Sequence, residues 1–150
     1  MHGLSGGTAV ARGKRRYVGG VWAREERGLP LEIVGMDHPA RDLDREEFRA
    51  KNPFGQIPVI DDDGVVVTES GAILLYLARK SGELMPTDLA GEAQVLRWSV
   101  AALSSVEVPV LAMWFVGLDE GKGTKPHEAL RRWSDLRLKQ LDAWLADRTY

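Results

Sequence analysis

Between Ile57 and Thr68 the chain groups its apolar residues into two short β-prone runs, Ile57-Pro58-Val59-Ile60 and Val65-Val66-Val67-Thr68, with Asp62-Asp63-Gly64 between them. Such runs around an Asp-Gly pair predict two strands joined by a tight turn. A helix is predicted next, opening on the polar pair Glu69-Ser70 and ended by Ser81-Gly82-Glu83-Leu84-Met85-Pro86, a break that reads as a linker. Upstream the pattern is weaker. Val10 and its neighbours offer a first strand, and Val18, Val21, Trp22 and Ala23 make a partial helical stripe between Lys14 and Arg27. Gly19 and Gly20 weaken that stripe and Gly28-Leu29-Pro30 stops it. Leu31 to Met36 reads as a second strand, and Asp44 to Phe48 as a short helical turn before Asn52. The order is strand, helix, strand, hairpin, helix, which is the arrangement of an α/β domain with a mixed sheet.

Beyond the linker the period becomes helical throughout. From Leu89 to Leu118, Val95, Leu96, Trp98, Leu103, Val106, Leu111 and Trp114 are available for burial, and Pro109 is expected to kink or divide that helix because it lacks a backbone donor. Asp119 to Lys125 is a loop rich in Gly and Lys. Pro126 suits the first turn of a last helix, whose apolar face is Leu130, Trp133, Leu138, Leu141, Trp144 and Leu145. The tryptophans are expected to serve core packing. The chain thus divides into an α/β domain over residues 1–82 and a partial all-helical domain over 87–150, a helical hairpin whose open apolar faces call for cover by further helices or by a partner chain.

Composition narrows the chemistry. The 150 residues contain no cysteine, which removes disulfides, thiolate metal sites and any mechanism that uses a protein thiol as nucleophile. His2, His38 and His127 lack metal-ligand spacing, so no metal site is expected. A net charge of -2 argues against general affinity for nucleic acid. The longest apolar stretch, Val108 to Val116, is short for a bilayer and contains Pro109, and the N-terminus lacks the apolar segment of a secretory signal, so the expectation is a cytoplasmic protein without a membrane partner.

The chemically informative segment is Asn52-Pro53-Phe54-Gly55-Gln56-Ile57-Pro58-Val59-Ile60 together with Thr68-Glu69-Ser70-Gly71-Ala72-Ile73. A proline after a β-branched residue at a strand entrance is a candidate cis peptide. A cis bond at Ile57-Pro58 would turn the backbone groups of Ile57 outward, where a bound peptide can pair with them as an added strand. At Ser70 the first amides of a helix lack intrahelical partners and attract a carboxylate. The Ser70 hydroxyl adds a donor and Glu69 an acceptor for an ammonium group, so the pair can receive the α-amino-acid end of a small peptide. Taken singly, Asn52-Pro53 and Asp63-Gly64 are ordinary turn formers and a serine at a helix start is most often a cap.

These strings, with Thr68-Glu69-Ser70-Gly71-Ala72-Ile73 continuing as Leu74-Leu75-Tyr76-Leu77-Ala78-Arg79-Lys80, resemble the glutathione-binding half of the glutathione transferase family, and the likeness extends from about Trp22 to the C-terminus. The resemblance implies a thioredoxin-like domain followed by an all-α domain. It also implies that Ile57, before the proline Pro58, pairs with the cysteinyl part of glutathione, and that Glu69 and Ser70 hold the γ-glutamyl end. Gln56 stands where the family often has a side chain that touches the ligand. The implied activity is conjugation of the glutathione thiol to an electrophilic small molecule in detoxification, with glutathione as co-substrate, no further cofactor, and a homodimer as the common assembly. The alternative is a non-catalytic binding or interaction module on the same architecture.

The catalytic group is where the sequence departs from the family. A Ser, Tyr or Cys is expected near the end of the first strand, where its donor stabilises the thiolate of the ligand. The window from Ala9 to Tyr17 holds Arg12, Gly13, Lys14, Arg15 and Arg16 instead. Thr8 and Tyr17 are the nearest hydroxyls and Ser5 lies further off; none is assigned as catalytic. Positive charge also favours a thiolate, so the basic cluster is a candidate substitute for the hydroxyl.

Overall fold

The computed structural model of the chain describes residues 7–11, 31–35 and 41–148. The predicted helix between Lys14 and Arg27, the basic cluster from Arg12 to Arg16, Ser5, Tyr17, His2 and His38 lie outside the described residues. Contacts divide the chain into two compact units, Met1–Glu92 and Ala93–Tyr150.

The first unit is built on a four-stranded sheet of β1 (Gly7–Ala11), β2 (Leu31–Gly35), β3 (Val59–Asp62) and β4 (Val65–Thr68), in the spatial order β2-β1-β3-β4. β1 runs parallel to β2, with Gly7 beside Leu31, and antiparallel to β3, with Val10 beside Val59. β3 and β4 form an antiparallel hairpin in which Val59 faces Thr68 and Asp62 faces Val65. The sheet is therefore mixed, as a thioredoxin-like domain requires. The turn between the last two strands is Asp63-Gly64, both at positive φ (51° and 90°), the two-residue geometry whose twist suits a hairpin. Asp62, read from sequence as part of that turn, instead completes β3 and is buried.

Helix α1 (Glu46–Lys51) follows a single 3-10 turn at Asp42–Asp44, and α2 (Ser70–Ser81) follows β4 directly. The strand period of two places Ile60 and Asp62 on one face of β3. There Ile60 packs with Ile73 and Leu77, one helical turn apart on α2, and Val67 and Tyr76 close the cluster. Gly82 ends α2 at φ 72° with its amide on the Ala78 carbonyl at 3.1 Å, the left-handed stop that glycine adopts without steric cost.

Helix α3 (Leu89–Ala101) passes through a π-helical turn at Ala102–Glu107 into α4 (Val108–Asp119), and α5 (Lys125–Leu145) follows. Pro109 does not divide the run. The widened turn lies immediately ahead of it, where the proline ring would crowd a carbonyl of an ordinary α-turn. In consequence 89–119 is a continuous helix long and apolar enough, by length and composition, to cross a membrane, which a break at Pro109 would have excluded.

The expected burial of the helical face is only partly realised. Leu96, Leu103, Trp114, Trp133 and Leu138 are exposed, while Val95, Trp98, Val106, Leu111, Leu130, Leu141, Trp144 and Leu145 are half-buried. Apolar residues occur on several faces of these helices, and α4 and α5 can cover only the faces they turn to each other. Among the described residues of this unit, Pro109 and Ser134 alone are fully buried.

Candidate functional site

The hairpin register determines what meets at the end of the sheet. Because Val59 faces Thr68, the residues just before β3 and just after β4 come to the same edge. Those residues are Ile57-Pro58 on one side and Glu69-Ser70 on the other. The Ile57-Pro58 peptide is cis. Ile57 and Pro58 are half-buried, whereas Gln56, Glu69 and Ser70 are exposed.

At the helical side, Glu69 occupies the N-cap position and its carbonyl accepts the first helical bond, from the Ile73 amide at 2.9 Å. Its side chain does not cap the helix, and Ser70 is already the first helical residue, so the plain capping role of a serine at a helix start is not the one found. The first turn carries no acidic residue. Its amides and the positive end of the helix dipole are thus left for an anion. Glu69 has φ 68° and ψ 123°, a region that costs a non-glycine residue about 1–3 kcal/mol and is held only where the surroundings enforce it.

The loop entering the strand is braced by a residue whose part the sequence did not disclose. Asn52 is 1% exposed; its Nδ2 donates to the Gln56 carbonyl at 2.8 Å and its Oδ1 accepts from the Phe54 amide at 3.1 Å. Arg49 lies against Gly55 and donates to the Pro53 carbonyl at 3.1 Å. Together they fix the path of 53–56, and so the backbone that delivers Gln56 and Ile57. Asn-Pro reads as a turn signal, and only burial turns the asparagine into a brace.

Two consecutive aspartates anchor the other end of β3. Asp61 accepts from Lys51 Nζ at 2.6 Å and from the Gly64 amide at 3.1 Å. Asp62, on the opposite face, accepts from Tyr76 Oη at 2.5 Å and from Lys80 Nζ, which share a face of α2. Lys51 and the Gly64 amide hold the Asp61 carboxyl below the ordinary range, and Lys80 with Tyr76 does the same for Asp62. Asp62 in turn raises the Tyr76 phenol to about 12.

Of the hydroxyls weighed as catalytic, Thr8 is described. It stands opposite Asp61, with Val10 opposite Val59, so it lies toward the far end of the sheet from Pro58. Among the described residues no group of three or more acidic or histidine side chains could hold a metal ion.

A hairpin, a parallel strand pair and a helix whose start meets the hairpin's open end define a thioredoxin-like domain. Residues 11–79 match the family model "Glutathione S-transferase, N-terminal domain", and the chain is similar to proteins of the glutathione S-transferase family. It is 46% identical over 55 residues to glutathione S-transferase hmp2 of Hypomyces subiculosus, which is 37% of this chain and 26% of that protein. Over 123 residues, 80% of this chain and 58% of the relative, it is 28% identical to the hematopoietic prostaglandin D synthase of Rattus norvegicus. A glutathione transferase from Burkholderia graminis, solved with two glutathione molecules bound per subunit, superimposes with a TM-score of 0.86 at 28% identity, over 96% of this chain and 64% of that one. Yeast Ure2p in complex with glutathione shares the fold at 21% identity and a TM-score of 0.86, over 99% of this chain and 66% of Ure2p. The matched segments span 26% and 58% of the length of these two curated relatives.

Proposed function

We propose that the chain binds glutathione at Ile57, Glu69 and Ser70, with Gln56 and Pro58 beside it, and brings the glutathione sulfur to an electrophilic small molecule. In that reaction the sulfur forms a bond to the electrophilic carbon, the leaving group departs with its electron pair, and the thiol proton passes to solvent. The observation that carries the reading is the convergence of Ile57-Pro58 and Glu69-Ser70 on one sheet edge, with an uncapped helix start beside an exposed carboxylate. The backbone of Ile57 suits the cysteinyl unit, the amides and hydroxyl of Ser70 suit the γ-glutamyl carboxylate, and Glu69 suits its ammonium. We read the two domains as 1–82 and 87–150, the setting as cytoplasmic detoxification, and the assembly as a homodimer. We read helix 89–119 as lying against α5 rather than in lipid, since α4 packs on α5 and Glu107 interrupts its apolar run.

The test is retention on immobilised glutathione, comparing the chain with its Ser70→Ala variant. Retention of the parent and its loss or marked weakening in the variant are expected; equal behaviour of the two overturns the site. A second reading, binding without conjugation, is favoured by the position of Thr8 away from Pro58 and by the absence of cysteine. An activated aryl halide separates them: thioether formation above the uncatalysed rate supports the transferase, whereas retention without turnover supports the binding module.

A further inference from the structure

A second cluster lies in the helical unit and shares no residue with the glutathione site. Trp98 of α3 and Trp144 of α5 have ring centroids 5.1 Å apart and planes tilted by 38°. The guanidinium carbon of Arg97 lies 4.9 Å from both centroids, and that of Arg148 lies 3.4 Å over the Trp144 ring. Both arginines are exposed and both indoles half-buried.

Stacking engages the flat face of a guanidinium and leaves its donors, which all lie in the plane, directed outward. Arg97 uses one of them in a long contact with Gln94 Oε1 at 3.4 Å, and Arg148 uses one on the Trp144 carbonyl. Neither has a carboxylate partner among the described residues, in contrast to Arg131 on the same helix as Trp144, which is forked by Glu128 and Asp135. The two guanidinium carbons flank one ring, so they are separated by no more than the sum of their distances to it. A tetrahedral oxyanion accepts N–H donors at about 2.8 Å, which sets its central atom about 4 Å from each guanidinium carbon. Both guanidinium groups stand at the Trp144 ring, and an anion held by their donors offsets the repulsion between two cations on the same aromatic platform.

We propose that Arg97 and Arg148, stacked on the Trp98–Trp144 pair, form a binding site for a phosphate-class oxyanion. The indoles hold both guanidinium groups against their rings before the ligand arrives, so less side-chain freedom is lost on binding than for arginines on open surface. Arg148 also satisfies a carbonyl in the last turn of α5, which blunts the negative helix end that would otherwise repel the anion.

The test uses the full chain without glutathione, at ionic strength held constant with chloride, read by calorimetry and by tryptophan fluorescence. Inorganic phosphate, glycerol 3-phosphate and vesicles of phosphatidylcholine containing phosphatidic acid are titrated separately. A saturable response that Arg97→Gln and Arg148→Gln each weaken about tenfold is expected, with Arg132→Gln on the same helix unchanged and circular dichroism confirming that all variants are folded. Arg97→Lys, which keeps the charge but loses the fork, is expected to fall between. Loss in the arginine variants supports the site for whichever titrant shows it, soluble phosphate or lipid headgroup. No saturable response to any titrant, equal weakening by Arg132→Gln, or undiminished binding in both arginine variants overturns it.

Discussion

Neighbouring residues of one type take opposite roles here because a strand sends them to opposite faces. Asp61 meets Lys51 and the turn amide, while Asp62 is drawn under α2 to Tyr76 and Lys80. Both carboxyls titrate below the ordinary value of 3.8 in the folded chain, so their contribution to stability is present above that value and is lost as pH falls through the lower native one. Urea titrations across acid pH are expected to show a shallower acid limb in the Asp61→Asn, Asp62→Asn double variant. Tyr76 has the opposite sign. Its pKa is raised from 10.0 to about 12, so its share is full below 10.0 and is lost as pH rises through about 12. Absorbance titration should find one of the three tyrosines ionising near that value, and Asp62→Asn should return it toward 10.0. At Asn52, replacement by Ala removes the hydrogen bonds to the Gln56 carbonyl and from the Phe54 amide, a loss of about 1–3 kcal/mol in denaturant unfolding, with weaker glutathione retention because 53–56 loses its brace. The residues proposed to touch the ligand were legible, since Ile57, Pro58, Glu69 and Ser70 carry their chemistry in local spacing. Asn52 and Asp62 were not, because burial comes from partners distant in the chain.

Elements were legible where a local rule decides them. Gly82 is one such place: its φ of 72° meets open space, so a side chain there costs conformation and nothing else. Gly82→Ala is expected to destabilise the first unit by about 1 kcal/mol, and Gly82→Asn by less, as urea midpoints would show. The hairpin was equally plain, for Asp63-Gly64 accepts the two positive φ angles its turn demands. Pro109 was legible only as a disturbance. The missing donor is written in the sequence, but whether the chain bends or widens its turn depends on packing, and here it widens over Ala102–Glu107. The first strands could be named from β-branched and small residues, yet their pairing order required β3 to insert beside β1, a non-local choice.

At the scale of the whole molecule the two units differ in how fully they close. The first has a core around Ile60, Ile73 and Leu77, whose period-two and period-four spacing made it readable. In the second, Trp114 and Phe115 stack edge to face at 4.9 Å while remaining 52% and 55% exposed, and Leu118 is 65% exposed. Apolar residues on several faces gave no rule for choosing an inward one. Surface of this kind is rarely left in water, so the chain is expected to self-associate at micromolar concentration. Sedimentation velocity would show this, and a Trp114→Lys, Phe115→Lys double variant should sediment more slowly; an unchanged monomer in both would dismiss it. The strained dihedral at Glu69 has a different reach. A residue held uphill by its neighbours reports on them: once the contacts of Ile73 and Leu77 loosen, Glu69 is expected to relax into a commoner conformation, and the seat proposed for the ligand's amino-acid end is lost with it. Mild denaturant should therefore release glutathione before ellipticity changes, making affinity the earlier alarm of a weakening core.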